Sequence, residues 1–194
     1  MEFRLLYEGP LPADGKSSKR EAKHQIRRKI HPQLQILWDL EPLKYYKAKP
    51  RPDHPNNYPP PKYVKNPHRV GNFNFIPLIT EDLNLVVEIN ILLLRPEPAG
   101  LLIANGGDID NRLKVLFDSL RMPTGSSELP GETKPDKNED PFYCLVEDDK
   151  LITNVSVVSD RLLKEVKDPL TVSLFIYVRV KGTMLTGRNI ALIG

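Results

Sequence analysis

The chain has 194 residues, 40% of them hydrophobic, a formal net charge of +3 and a single cysteine, Cys144. That length suits one elaborated domain better than two, and a lone cysteine excludes an intramolecular disulfide and a thiolate metal cluster. No apolar run reaches the roughly 20 residues that a membrane-spanning helix needs, and "MEFRLLYEGPLP" has neither a basic n-region nor a small-residue cleavage site, so the expectation is a soluble, cytoplasmic protein.

Charge is uneven along the chain. Residues 1–70 hold 15 Lys/Arg against 7 Asp/Glu, and residues 71–194 hold 13 against 18. A basic first part beside an acidic remainder suits a polyanion held against a carboxylate-bearing centre, and it equally suits an ordinary solvated surface.

In chain order, "EFRLLYE" alternates weakly and reads as a first strand. "GKSSKREAKHQIRRKIHPQLQILWDL" reads as a helix capped by Ser17 or Ser18, with Ala22, Ile26 and Ile30 recurring every four residues and Leu34 and Leu37 continuing the stripe. Pro32 lies inside the pattern and predicts a kink or break, because it removes a backbone donor and clashes with the preceding turn. The opposite face carries Lys19, Arg20, Lys23, Arg27 and Lys29.

A proline-rich arm at residues 44–70 follows, too rich in proline for a helix or a central strand. It interleaves Lys47, Lys49, Arg51 and Arg69 with Tyr45, Tyr46, Tyr58 and Tyr63. Aromatic faces stack on bases and cations neutralise phosphates, so the arm suits nucleic acid. The same tyrosines would also let it pack on the core or on a second subunit.

"NFNFIPLI" and "LNLVVEINILLLRP" read as a hairpin joined by "TEDLN". A short helix comes next, then a polar, turn-rich loop at 121–147. "DKLITNVSVVSD" and "LTVSLFIYVRV" are β-rich, and the tail after Lys181 carries no clear signal. The order is β-α-β-β-α-β-β. It predicts an α+β fold in which two main helices pack on a small mixed β-sheet, in one domain over 1–194. His24, His31, His54 and His68 show no metal-ligand spacing and read as surface or nucleic-acid-facing residues. Cys144 reads as half-buried and apolar.

The segment richest in chemistry is "GDIDNRLKVLFDSL", residues 107–120. Positions two apart on a helix diverge by about 200°. Asp108 and Asp110 therefore converge only if Asp108 caps the helix and Asp110 lies in its first turn, an entry that Gly106 and Gly107 permit. Ile109, Leu113, Leu116 and Leu120 would bury one side. Asp110, Lys114, Phe117 and Arg121 line another, with Lys114 one turn above Asp110. Aspartates at a helix start also serve simply as caps that complement the macrodipole, and Asp118 reads as a solvated charge. A second acidic stretch, Glu147-Asp148-Asp149, opens the strand "KLITNVSVV". Adjacent acids there repel, which a hard divalent cation relieves; an exposed acidic turn explains them as well.

"DIDNRLKVLFDSL", a variable loop and then "EDDKLI" together resemble the signature of the RusA family of Holliday junction resolvases. The likeness covers residues 108 to about 158. It implies a RusA-like fold and a homodimeric, Mg²⁺-dependent endodeoxyribonuclease, with Mn²⁺ as a substitute and no organic cofactor. Such an enzyme nicks four-way DNA junctions in symmetric pairs during recombination and repair, and is bacterial or phage-encoded. Transferred to this chain, the resemblance implies Asp108, Asp110 and Asp149 as metal-binding carboxylates and Lys114 as the catalytic lysine. Asp148 and Asn111 would support them. DNA-binding residues would be Lys19, Arg20, Lys23, Arg27, Arg28, Lys47, Lys49, Arg51 and Arg69. A catalytically silent DNA-binding protein of the same fold is the rival reading, as is a nuclease for other branched DNA. The 44–70 arm and the long 121–147 loop depart from compact members of that family.

Overall fold

Strict alternation of buried and exposed residues builds the larger sheet. In β4 (Leu85–Arg95), Leu85, Val87, Ile89, Ile91 and Leu93 are buried. In β7 (Thr171–Gly182), Val172, Leu174, Ile176, Val178 and Val180 are buried. A period of two puts each set on one face. With β1 (Glu2–Pro10) and β6 (Ile152–Arg161) these strands form one sheet in the order β1-β7-β4-β6; β4 and β6 run parallel and the other neighbours antiparallel. The computed structural model describes residues 1–12, 19–47, 67–96, 109–131 and 133–193.

A second sheet, order β2-β3-β5, joins β2 (His68–Val70), β3 (Phe73–Ile79) and β5 (Phe142–Val146). β3 and β5 are parallel and almost continuously buried, the pattern of strands covered on both faces. Among the described residues there are three α-helices: α1 (Lys19–Asp39), α2 (Leu43–Lys47) and α3 (Ile109–Leu120). Ile26, Ile30, Leu34 and Trp38 of α1 and Val115, Leu116 and Leu120 of α3 complete the main core with the sheet interiors. A smaller aromatic cluster holds Phe73, Phe75 and Phe142 with Leu129 and Cys144. No helix among the described residues is long and apolar enough to cross a membrane.

The mixed α+β class is as expected, and the arrangement differs in four ways. There are two sheets where one was expected. "NFNFIPLI" and "LNLVVEINILLL" do not pair: a turn at residues 81–84, with Asn84 at φ 52° and Leu85 N–H donating to Thr80 O, carries the chain from one sheet to the other. The physical obstacle is Pro77, which has no N–H to give to a second ladder in the middle of β3. Helix α1 runs through Pro32 to Asp39, because burial of Leu34 and Trp38 beyond the proline offsets its cost of about 3 kcal/mol. Finally, β5 and a 3₁₀ turn at Ser126–Glu128 lie inside the expected 121–147 loop. The "FYCLV" run is buried throughout and so lacks the alternation that marks a half-buried strand.

In the expected arm, α2 and β2 are ordered elements at its two ends, and residues 48–66, with Lys49, Arg51, His54, Tyr58 and Tyr63, lie outside the described residues. Tyr46 packs into the core and its hydroxyl donates to Arg188 O at 2.6 Å, whereas Tyr45 is exposed.

Candidate functional site

Helix α3 presents three kinds of surface. Val115, Leu116 and Leu120 enter the core, and Arg112 is buried with them, donating to Leu11 O at 3.1 Å. Leu113 and Phe117 are half-buried at the rim, and Asp110, Asn111 and Lys114 are exposed. A charged stripe follows helical spacing. Asp110, Lys114 and Asp118 succeed one another every four residues, so their side chains stack along one face.

That stripe forms one wall of a cleft of about 300 Å³ lined by Asp110, Leu113, Lys114, Phe117, Asp118 and Asp149. The acidic turn supplies the opposite wall, and its three carboxylates have separate jobs. Glu147 accepts the Glu81 N–H at 3.1 Å, while its own N–H donates to Ile79 O. Asp148 accepts the Lys150 N–H at 3.0 Å and so caps the 3₁₀ turn Asp149–Leu151. Lys150 in turn pairs with Glu81 at 2.6 Å, and that hydrogen bond holds its ammonium above the ordinary lysine range. Two acids and the turn thereby fix the third, Asp149, which is exposed to the cleft.

The side chains of Asp110, Lys114 and Asp149 make no hydrogen bond or ion pair with another described residue. One ammonium and two carboxylates without a partner among the described residues thus line the same cleft, groups of the kind that a phosphodiester and a hard cation would need. The donor set fits Mg²⁺, which takes carboxylate oxygens from few protein residues and keeps water or phosphate oxygens for the rest. Among the described residues no three His, Cys, Asp or Glu side chains converge as a ready metal cage. Asp108, the expected third carboxylate, lies outside the described residues. Asn111 is exposed on the first turn of α3 and does not line the cleft.

Asp118 is a correction: the sequence reads it as a solvated charge, and it lines the cleft in ion pairs. It is tied down: Lys23 of α1 pairs with it at 2.5 Å and Arg121 reaches it at 3.4 Å, with side-chain exposure of only 14%. Its i+4 spacing from Lys114 was the available signal. The Lys23–Asp118 ion pair binds α3 to α1 beside the cleft.

The expected DNA contacts divide. Arg20 and Arg69 are exposed. Lys23 is committed to Asp118, Arg28 to Glu139 at 2.9 Å, and Lys47 to Asp39 at 2.7 Å while lying over the Tyr143 ring. Lys19 opens α1. Arg27 is a correction: it is 1% exposed, donates to Asp118 O at 2.6 Å and faces Glu128 at 3.7 Å, so it cannot meet a phosphate.

Two histidines also move from the surface to the interior. His24 and His31 are 1% and 2% exposed and lie against the Phe142 ring. His31 accepts the Tyr143 N–H on Nδ1 and so must carry its proton on Nε2, which donates to Asn138 O; both contacts are 2.9 Å. His24 finds no hydrogen-bond partner for either ring nitrogen. Its pKa is pushed down to about 4, first by burial and then by Arg28 and Arg27. Cys144 is fully buried, and burial raises its thiol far above the ordinary range, which removes it as a nucleophile. The chain matches no protein-family model, no curated protein and no solved structure.

Proposed function

We propose that the chain is a metal-dependent endodeoxyribonuclease of the RusA type that cuts four-way DNA junctions by paired nicks. The observation that carries the reading is the cleft in which Asp110 and Lys114, from one helix, meet Asp149, from a distant turn, with none of the three side chains bonded to another described residue. Their residue types and order are those of the resemblance. The three face one another across a space large enough for a phosphodiester.

In this reading Asp110 and Asp149, joined by Asp108, hold Mg²⁺. When bound, that ion supplies polarisation of the scissile phosphate and a lowered pKa for an attacking water. Lys114 neutralises charge that develops on the phosphate or on the leaving oxygen, with its ammonium held over the cleft by the helix. Asp148 and Glu147 act as positioning residues that keep Asp149 turned outward. Arg20 and Arg69, with Lys19, Lys49 and Arg51, contact the DNA backbone; such contacts position the junction without reading its bases.

The test is cleavage of a labelled four-way junction in Mg²⁺ and in EDTA, with linear duplex as control, for the wild type and for Asp110→Asn. The expected result is paired symmetric nicks that require the metal and vanish in the variant. Tight junction binding with no cutting in Mg²⁺ or Mn²⁺ would overturn the enzyme reading in favour of a silent DNA-binding protein. Cutting of flaps in preference to junctions would overturn the substrate assignment alone.

A further inference from the structure

The two edges of the four-stranded sheet are treated differently. In β1, Leu6 N–H donates to Gln33 Oε1 at 2.8 Å, Leu6 O accepts from Gln33 Nε2 at 2.7 Å, and Glu8 O accepts from Lys29 Nζ at 2.5 Å. Side chains of α1 thus stand where a neighbouring strand would. At the other edge, β6 pairs with β4 alone. Leu162 N–H donates to Arg95 O. By alternation, the even-numbered residues of β6 from Asn154 onward turn their backbone groups towards β4, and Val155, Val157 and Ser159 turn theirs outward. None of those outward N–H and C=O groups bonds another described residue. The ladder is closed only at its end, where Asp160 accepts the Arg161 N–H at 2.7 Å. Open edges are normally guarded by a charge, a proline or a covering element. The run 152–159, "ITNVSVVS", has no charge and no proline. On the sheet face opposite the core, register aligns Leu6, Phe175, Leu92 and Val158 in one apolar row across all four strands. The row stops at the β6 edge with Val158, its most exposed member at 60%.

We propose that the free edge of β6 is a docking site for an extended segment of a partner protein, which adds a fifth strand to the sheet. A row of outward N–H and C=O groups fits an extended backbone, whose hydrogen bonds give affinity while side chains on the two faces give choice. The faces narrow that choice. Paired antiparallel, the more stable sense, the segment needs an apolar side chain opposite Val158 to continue the row and β-branched ones opposite Val155 and Val157. It needs a cation opposite Asp160 and no proline at the bonded positions. A second copy of β6 fits less well. Paired antiparallel about Val157 or Ser156, it uses all three outward residues but sets Val158 against Ser156 or Asn154. Paired about Val158, it continues the apolar row but sets Val155 against Arg161, whose N–H Asp160 already holds. No copy of β6 satisfies both the ladder and the row; a different sequence can.

The probe is the end-capped peptide Lys-Thr-Phe-Val-Thr-Val-Thr. Its Lys is placed to face Asp160, its Phe to face Val158, and its second, fourth and sixth residues to face Ser159, Val157 and Val155. Amide hydrogen exchange and chemical shifts are read by NMR on the full-length chain. Without peptide, the N–H groups of Val155, Val157 and Ser159 should exchange freely while those of Ser156 and Val158 are protected. With peptide, exchange of the first three should slow by about tenfold or more, with a dissociation constant of about 100 µM. Methylating the peptide nitrogens at the second, fourth and sixth residues should abolish binding. Methylating those at the third and fifth, which point away from β6, should leave it unchanged. Val157→Pro removes an N–H that has no partner in the free protein, and in folded protein should abolish binding. Val158→Lys, at an exposed position, should weaken it by about tenfold. No binding or protection at about 2 mM peptide would overturn the proposal. So would equal losses from the two methylation patterns, which would show apolar adhesion without strand pairing. Protection of the three N–H groups that grows with protein concentration in the absence of peptide would give the edge to a second copy and overturn the partner assignment. Asp110→Asn should bind the peptide as the wild type does, which separates this outcome from that of the cleavage assay.

Discussion

His24 makes the stability of this protein depend on pH in a way that can be worked out. The imidazole is wedged edge-on to Phe73, at 5.2 Å between ring centroids, and stacked on Phe142, and neither nitrogen has a hydrogen-bond partner. Its pKa falls from 6.5 to about 4 on folding. A lowered histidine pKa means that the unfolded chain binds the proton more readily, so stability rises with pH across this window. The neutral ring's contribution is complete above pH 6.5 and is lost progressively as pH falls towards 4. Linkage at 1.36 kcal/mol per unit gives a loss of about 2 kcal/mol by pH 5 and about 3 kcal/mol in full. The perturbation is His24→Phe, which keeps an aromatic ring and removes both orphan nitrogens. The assay is urea unfolding of both proteins at pH 8 and pH 5, reading the difference between them so that carboxylates common to both cancel. The variant should gain about 2 kcal/mol on the wild type on going from pH 8 to pH 5. Equal pH slopes would refute the reasoning, since His24 would then titrate alike in folded and unfolded chains.

Neighbouring aspartates of the acidic turn should behave differently. Asp148→Ala removes the acceptor for the Lys150 N–H and should cost about 1 kcal/mol in thermal unfolding. Asp149→Asn should change stability by less than about 0.5 kcal/mol yet abolish metal-dependent cleavage; a reversed pattern would exchange their roles. Arg27→Ala should destabilise by about 3 kcal/mol in urea, because it removes a buried cation and strands the Asp118 carbonyl and Glu128. Arg27→Met, which keeps the packing volume, should lose less. A wild-type midpoint in Arg27→Ala would contradict the interior position of this residue.

Local periodicity determined much of this protein from sequence alone. The alternation in "LVVEINILLLR" and "TVSLFIYVRV" and the four-residue recurrence of Ile26, Ile30 and Leu34 reappear as strands and a helix with the expected faces buried. The stacking of Lys114 one turn above Asp110 also followed from helical spacing, since residues four apart share a face whatever surrounds them. The tertiary structure decided what periodicity does not encode. A pattern reports that one face of an element is buried, and it does not say which element covers it. "NFNFIPLI" and "LNLVVEINILLL" therefore read as a hairpin and fold into separate sheets. His24, Arg27 and His31 have polar identities and stand on a helix already carrying an apolar stripe. Only the approach of β5 and its phenyl cluster buries them too. Asp149 shares the cleft with Lys114 only because parallel pairing of β3 and β5 brings the acidic turn beside α3. The apolar row Leu6, Phe175, Leu92 and Val158 is likewise invisible in the sequence, where its members stand far apart in four different strands, each beside apolar residues of its own strand. It exists because hydrogen-bond register, a property of strand pairs and not of any one strand, aligns them.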